Sequence, residues 1–144
     1  MSHRTNLQKG TVLAIDDDIG VLDVIKMALE REGYAVHVAS GANEGIQLYQ
    51  KHWSSIWLVV LDFTLPKMKG DVVLERLQRI NPEVRVLLMT GTYGLGENEE
   101  FESGLAGYLQ KPFPMAELVK RVHTEINLEI LERNKAERLA RQAL

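Results

Sequence analysis

The sequence contains no cysteine and no long apolar run. Without cysteine the chain has no disulfide framework, no thiol nucleophile and no cysteine-ligated zinc site, which fits a reducing compartment. The longest apolar run, Ile56 to Leu61, is too short to cross a bilayer. The first ten residues are polar and lack the apolar centre of a signal peptide. We therefore expect a cytoplasmic protein without a membrane partner.

A strong excess of charge of either sign is also missing. Seventeen basic and twenty acidic residues give a formal net charge of -3, which argues against bulk electrostatic binding to nucleic acid or anionic membrane. With 144 residues, 45% of them apolar and 26% charged, the chain matches one globular domain with a short appendage. We expect no direct contact with nucleic acid.

Short apolar runs alternate five times with segments of helical periodicity. The predicted strands cover residues 12–15, 34–39, 56–61, 84–89 and 107–109. Helices are predicted after Asp18 and after Ser40, each of which can cap one, before the turn Asn81-Pro82, over residues 97–103, and from Met115. This alternation predicts an α/β fold, a doubly wound five-stranded parallel sheet with helices on both faces. The expected strand order is 2-1-3-4-5.

Polar residues follow four of the five predicted strands. They are Asp16-Asp17-Asp18 after the first strand, Asp62 after the third, Thr90-Gly91-Thr92 after the fourth and Lys111-Pro112 after the fifth. Parallel sheets of this class bind ligands beyond the carboxyl ends of their strands, near the switch in strand order. The acids, a hydroxyl and an ammonium group should therefore meet at one rim of the sheet.

This set of groups suits phosphoryl transfer to a carboxylate. Crowded carboxylates need a cation, and oxygen ligands without histidine or cysteine favour Mg²⁺. A carboxylate can act as a nucleophile and form an aspartyl phosphate, provided that metal and ammonium neutralise the phosphoryl oxygens. Each piece alone has a simpler explanation, since an Asp triplet before a helix is commonly a cap. The ordered combination at the strand ends argues against that explanation.

In this order the motifs resemble the receiver domain of response regulators in bacterial two-component signalling. The resemblance is carried by Ile15 to Asp18, Leu61 to Gly70, Met89 to Gly91 and Gly107 to Phe113. It implies a flavodoxin-like receiver fold over residues 11–126, after a disordered N-terminal segment of residues 1–10 and before a helical C-terminal extension or linker, residues 127–144. Two of the motifs also resemble receivers fused to hybrid sensor kinases.

The resemblance implies a phosphoacceptor and a metal site. Asp62 would be phosphorylated by a histidine kinase or a histidine phosphotransfer protein. Asp17 and Asp62 would bind Mg²⁺ through their carboxylates and Thr64 through its backbone carbonyl, while Asp16 would hold a metal-bound water. The side chain of Thr64 is expected to face the site. The chain would not be an enzyme beyond its own phosphorylation and dephosphorylation.

The resemblance also implies a switch. Lys111 would pair with Asp62 at rest and with the phosphoryl group afterwards, and the Lys111-Pro112 peptide bond would be cis. Thr90 would move to hydrogen-bond the phosphoryl group, and Tyr108 would turn inward as Thr90 moves. This rearrangement would change the surface made by the fourth predicted helix, the fifth strand and the last helix.

The last helix has no glycine or proline to end it. Its helical pattern continues past Asn127, with Glu129/Arg133 and Glu137/Arg141 at helix-supporting spacing. No heptad register runs through the whole segment, so a stable coiled coil is not supported. We expect a helical extension that mediates dimerisation or leads to an output domain, and the alternative is a frayed tail. The surface around Tyr108 is a second candidate for a homodimer contact.

Two other functions compete with the receiver. A phosphatase of the haloacid dehalogenase class would use Asp16-x-Asp18, Thr90 and Lys111, but it needs a further acidic motif after the lysine and leaves Asp62 without a role. A pseudo-receiver that serves only as an interaction module usually lacks a key residue, and in this sequence all of them are present.

Overall fold

The computed structural model describes residues 10–91 and 105–143. The five strands are β1 (Thr11–Ile15), β2 (Ala35–Ala39), β3 (Ile56–Asp62), β4 (Val86–Thr90) and β5 (Leu105–Gln110). The helices are α1 (Ile19–Arg31), α2 (Ala42–His52), α3 (Gly70–Ile80) and the C-terminal helix (Met115–Gln142). All strand pairs are parallel, in the order β2-β1-β3-β4-β5. The predicted fold class and strand order are confirmed, while the helix predicted over 97–103 and the segment 1–9 lie outside the described residues.

The sheet separates two apolar cores. Because side chains alternate along a strand, Leu13 and Ile15 of β1 face α2 and α3, whereas Val12 and Ala14 face α1 and the C-terminal helix. The central strand β3 is buried on both faces, as its continuous apolar run predicts. Burying one such aliphatic side chain contributes about 1.5–3 kcal/mol, so the two cores hold the strand ends in fixed positions.

The predicted helix starts are right at one position and wrong at another. Asp18 is the N-cap of α1, and its carboxylate accepts a hydrogen bond from the backbone N–H of Val21 at 3.2 Å. Ser40 does not cap α2, because the helix starts one residue later with Gly41 at the N-cap and no side-chain capping bond. From its place before the cap, the Ser40 hydroxyl is too far from the N–H groups of the first turn.

Two strands begin later than the sequence predicts. β4 begins at Val86 because the N–H of Val84 bonds the carbonyl of Asn81 in the preceding turn. β2 begins at Ala35 because the N–H of Tyr34 bonds the carbonyl of Leu29 and closes the end of α1. In both places a turn hydrogen bond holds the apolar residue out of the strand.

The C-terminal helix continues without a break past residue 126. It spans 28 residues, about 42 Å at 1.5 Å per residue. The predicted helical extension is confirmed, and the frayed tail is not what the structure shows. Within residues 10–91 and 105–143, no helix combines the length and the apolar character that crossing a bilayer requires.

Candidate functional site

Three acids meet where β1 and β3 end. Ile15 of β1 lies opposite Leu61 of β3, so the next residue of each strand, Asp16 and Asp62, reaches the same rim. Carboxylate oxygens of Asp16, Asp17 and Asp62 all lie within 4.8 Å of one another. Asp16 and Asp62 are buried, whereas Asp17 is exposed. Sheet topology therefore brings together the acids that the strand ends predicted, with Asp17 on the solvent side.

Lys111 supplies the positive charge of this rim. Its Nζ lies 2.9 Å from Oδ2 of Asp16 and 3.5 Å from Oδ2 of Asp62. The expected ion pair with Asp62 is present, and the closer contact with Asp16 is one that sequence reasoning missed. The Lys111-Pro112 bond is cis, as predicted. One ammonium group thus bridges the two buried carboxylates.

Burial changes the protonation of this pair. Desolvation raises the pKa of Asp16 above its ordinary value, and the charge of Asp62 adds to the effect, although the N–H of Asp18 and the Lys111 ammonium oppose it. Desolvation alone would lower the pKa of Lys111, but the hydrogen bond with Asp16 and the charges of both acids outweigh it and the pKa is raised. Lys111 is therefore charged at neutral pH, and Asp16 holds its negative charge at a cost.

Thr64 orients the carboxylate of Asp62. Both its backbone N–H and its Oγ1 hydroxyl donate to Oδ1 of Asp62, each at 3.0 Å. The Thr64 side chain therefore faces the site, as expected. With Oδ1 held by Thr64 and Oδ2 near Lys111, the plane of the Asp62 carboxylate is fixed from two sides.

Thr90 and Tyr108 occupy neighbouring strands. Thr90 ends β4 and is buried, one residue beyond Met89, which lies opposite Asp62. Tyr108 lies on β5 with 46% of its surface exposed, so the ring is turned outward in this structure. Among residues 10–91 and 105–143, no atom lies within 4 Å of a Cβ atom added to Gly91.

An apolar cavity that sequence reasoning missed adjoins Lys111. Its volume is about 680 Å³, and its walls are Asp18, Gly20, Val21, Val24, Gly91, Lys111, Pro112, Phe113 and Met115. Val24 follows the helical spacing of the apolar residues of α1, yet it is exposed together with Ile19 and Met27. The apolar residues of α1 cover more of the helix surface than the core buries. This excess of apolar residues is the sequence feature that could have indicated the cavity.

The donor set fits a hard divalent cation. Three carboxylates face one ammonium group, so the rim carries more negative than positive charge. All three candidate ligands are oxygens, as Mg²⁺ prefers, and the exposed Asp17 leaves one side of the group accessible. The raised pKa of Asp16 shows that its charge is poorly solvated, and a cation bound there would compensate it.

Comparison with known proteins agrees with this geometry. The sequence model of the response regulator receiver domain family matches residues 12–123 of this chain. Two curated relatives are the uncharacterized transcriptional regulatory protein YkoG of Bacillus subtilis, 30% identical over 83% of this chain and 52% of the relative, and the transcriptional regulatory protein SrrA of Staphylococcus aureus, 32% identical over 77% and 45%. The chain thus spans about half the length of these relatives.

A solved structure gives the same answer for the whole fold. The crystal structure of a response regulator receiver domain protein from Clostridium thermocellum has a TM-score of 0.76 and 30% identity, over 85% of this chain and 98% of that one. The family model spans more than half of the chain, and the solved neighbour is covered almost completely. The chain belongs to the response regulator receiver domain family.

Proposed function

We propose that this receiver domain accepts a phosphoryl group on Asp62 in a Mg²⁺-dependent reaction. The observation that carries the proposal is the setting of the Asp62 carboxylate. It is buried, held by two donors of Thr64 on one oxygen and faced by Lys111 on the other. A carboxylate fixed in this way can attack without first changing its conformation. Holding a reacting group in position beforehand lowers the activation barrier.

The proposed transfer forms one bond and breaks another. An oxygen of the Asp62 carboxylate attacks phosphorus, the bond from phosphorus to the donor's histidine nitrogen breaks, and the nitrogen leaves with its electron pair. Lys111 lies where its ammonium group can follow the phosphoryl oxygens. Hydrolysis later returns inorganic phosphate and the free carboxylate. Attack by a carboxylate anion releases no proton, so this step requires no general base.

Mg²⁺ would be held by the carboxylates of Asp17 and Asp62 and the backbone carbonyl of Thr64, with Asp16 acting through a water. When bound, the cation neutralises negative charge on the phosphoryl oxygens. The closeness of the three carboxylates supports these assignments. Thr90 would then bond the phosphoryl group, and the outward ring of Tyr108 would turn inward beside it.

The proposed phosphodonor is a histidine kinase or a histidine phosphotransfer protein. The exposed apolar side chains Ile19, Val24 and Met27 and the cavity beside Lys111 support a protein donor, because they give it an apolar surface next to the acceptor. A homodimer through the surface around Tyr108 or through the C-terminal helix is also proposed. The cysteine-free sequence supports a cytoplasmic location for the reaction.

The test is incubation with acetyl phosphate and Mg²⁺, followed by measurement of acid-stable, base-labile phosphoryl label. Label should form on the native chain, vanish in Asp62→Asn and vanish when the metal is chelated. Asp71→Asn changes an exposed acid in the first turn of α3 and should label normally. Label that survives in Asp62→Asn but is lost in Asp16→Asn would contradict the proposal and favour the phosphatase.

A further inference from the structure

The C-terminal helix is clamped to the domain well past residue 126. Nη1 of Arg85 lies 3.1 Å from Glu125 and its Nε lies 3.6 Å from Glu129. Arg133 pairs with Glu129 at 3.0 Å, and its guanidinium carbon lies 4.5 Å from the ring centroid of Trp57. The helix is therefore held against the domain as far as Arg133, and its orientation is fixed there.

In this docked position, three leucines of the helix are exposed to solvent. Ile130 packs towards the core, whereas Leu128, Leu131 and Leu139 are 43%, 63% and 55% exposed. Residues 128, 132, 135 and 139 follow one another at spacings of four, three and four, so they share one side of the helix. That side reads Leu, Glu, Lys, Leu, with an apolar residue at each end and opposite charges between them.

Charge is also divided along this helix. Residues 125–132 contain three glutamates and no basic residue, whereas residues 133–142 contain four basic residues and one glutamate. Two such helices side by side in parallel would place like charges together. In the antiparallel direction the acidic half of each helix lies along the basic half of the other, which is the complementary arrangement.

We propose that two copies of this chain associate through antiparallel pairing of their C-terminal helices. Leu128 of one copy would lie against Leu139 of the partner subunit, and Glu132 against Lys135 of the partner subunit. Twofold symmetry makes each of these contacts occur twice. The contacts of Arg133 with Glu129 and Trp57 favour the pairing. Because they already order the first half of each helix, association costs less conformational entropy.

The pairing is weak and reversible. It has two leucine layers and two ion-pair layers, which is consistent with the absence of a heptad register for a stable coiled coil. Its strength should fall with salt because the paired charges are exposed. The proposal does not depend on phosphorylation of Asp62, and its test is done without phosphodonor. Failure of one proposal therefore leaves the other standing.

The first test is a charge exchange in the full chain, read by sedimentation equilibrium at low salt. Glu132→Lys and Lys135→Glu should each weaken self-association at least about tenfold, because each creates two like-charge contacts. The double variant should restore it. Glu137→Lys, on the opposite side of the helix, is the matched control and should keep most of the association. A monomer at every concentration, or no recovery in the double variant, would overturn the proposal.

The second test determines direction and uses the absence of cysteine from the native chain. A mixture of Leu128→Cys and Leu139→Cys should form a disulfide between the two variants under mild oxidation, while each variant alone should not. Leu128→Cys mixed with Asn134→Cys is the control. Cross-linking of each variant to itself would show parallel pairing and contradict the proposal. Binding of the chain to phosphatidylserine vesicles without self-association would also contradict it.

Discussion

Ion pairs lie at both ends of the sheet, and the two groups differ in their charge balance. At the carboxyl ends of the strands, Asp16, Asp17 and Asp62 face the single ammonium group of Lys111. At the other end, Arg85, Arg121 and Arg133 face the two carboxylates Glu125 and Glu129. The first group has an excess of negative charge, whereas in the second group every carboxylate has at least one arginine partner.

This difference separates a site from a structural contact. In the second group, which we call the balanced end, arginines compensate every carboxylate, so the group needs no further cation and holds one helix in place. An unbalanced set is unfavourable until a cation joins it, so the protein keeps it at a cost in stability. Removing a charge should therefore have opposite effects on stability at the two ends.

The largest change in stability is expected at the balanced end. Arg85→Met removes the closer of the two arginines that pair with Glu125 but keeps an apolar side chain of similar length, and it should destabilise the fold by about 3 kcal/mol. Urea unfolding followed by circular dichroism measures this. Arg79→Met is the control, since the pair between Arg79 and Glu75 is exposed and contributes less than about 0.5 kcal/mol. Equal destabilisation by Arg85→Met and Arg79→Met would contradict the expected difference between the buried and the exposed ion pair.

At the unbalanced end the effect should have the opposite sign. Asp16→Asn removes one of the crowded carboxylates and should stabilise the metal-free protein by about 1 kcal/mol at pH 7. Lys111 keeps Asp62 as a partner in this variant. Thermal unfolding in the presence of a chelator gives the measurement. A destabilised Asp16→Asn would mean that the pair with Lys111 outweighs the desolvation of Asp16.

The pH dependence of this gain follows from the raised pKa of Asp16. The folded state holds the proton of Asp16 more tightly than the unfolded state, whose pKa is near the ordinary 3.8. The native protein therefore loses stability relative to Asp16→Asn as the pH rises from 3.8 through the higher pKa of Asp16 in the folded state. The gap between the two proteins should be absent below about pH 3.8 and should widen as the pH rises above it. A gap that persists in acid would show that ionisation of Asp16 is not its cause.

Asp17 should affect metal binding with little effect on stability. It is exposed, so Asp17→Asn should change the free energy of unfolding by less than about 0.5 kcal/mol. The same change removes a carboxylate ligand and should weaken Mg²⁺ binding at least about tenfold, as measured by isothermal titration calorimetry. Asp71→Asn should leave the affinity unchanged. Unchanged affinity in Asp17→Asn would remove this residue from the proposed ligands.

A small effect on stability is also expected where Arg133 contacts Trp57. Arg133→Ala removes the cation over the Trp57 ring and a half-exposed ion pair, which together contribute about 0.5–1 kcal/mol. The emission of Trp57 should change because its neighbour is lost, whereas Arg138→Ala should leave it unchanged. An unaltered spectrum would show that Arg133 does not sit on the ring in solution.

The sequence predicts the residues at the carboxyl ends of the strands far better than the ion pairs that Arg85 and Arg133 form at the C-terminal helix, for a physical reason. Asp16, Asp62, Thr90 and Lys111 each lie at or directly after the end of a strand, and parallel strands bring such positions to one rim whatever the details of packing. The bridge from Lys111 to Asp16 escaped prediction because it depends on side-chain geometry. Arg85 and Glu125 are 40 residues apart and meet only after the helix has docked, so no local pattern marks their pairing.

Helix α1 shows a second limit of periodicity. Val24 shares the helical spacing of its apolar neighbours, but only Leu22, Ile25 and Leu29 of this helix are buried and Val24 lies in solvent. An apolar residue at the edge of a stripe can face the core or a partner, and the sequence alone does not distinguish the two.

The central claim is that Asp62 receives the phosphoryl group, and localising the modification tests it most directly. The chain would be treated with acetyl phosphate and Mg²⁺, and the acyl phosphate then reduced with borohydride, which converts a phosphorylated aspartate to homoserine. Peptide mass spectrometry should place homoserine at position 62 and leave Asp16, Asp17 and Asp71 as aspartate. Homoserine at position 16, or at no aspartate while Mg²⁺ is bound, would contradict the claim.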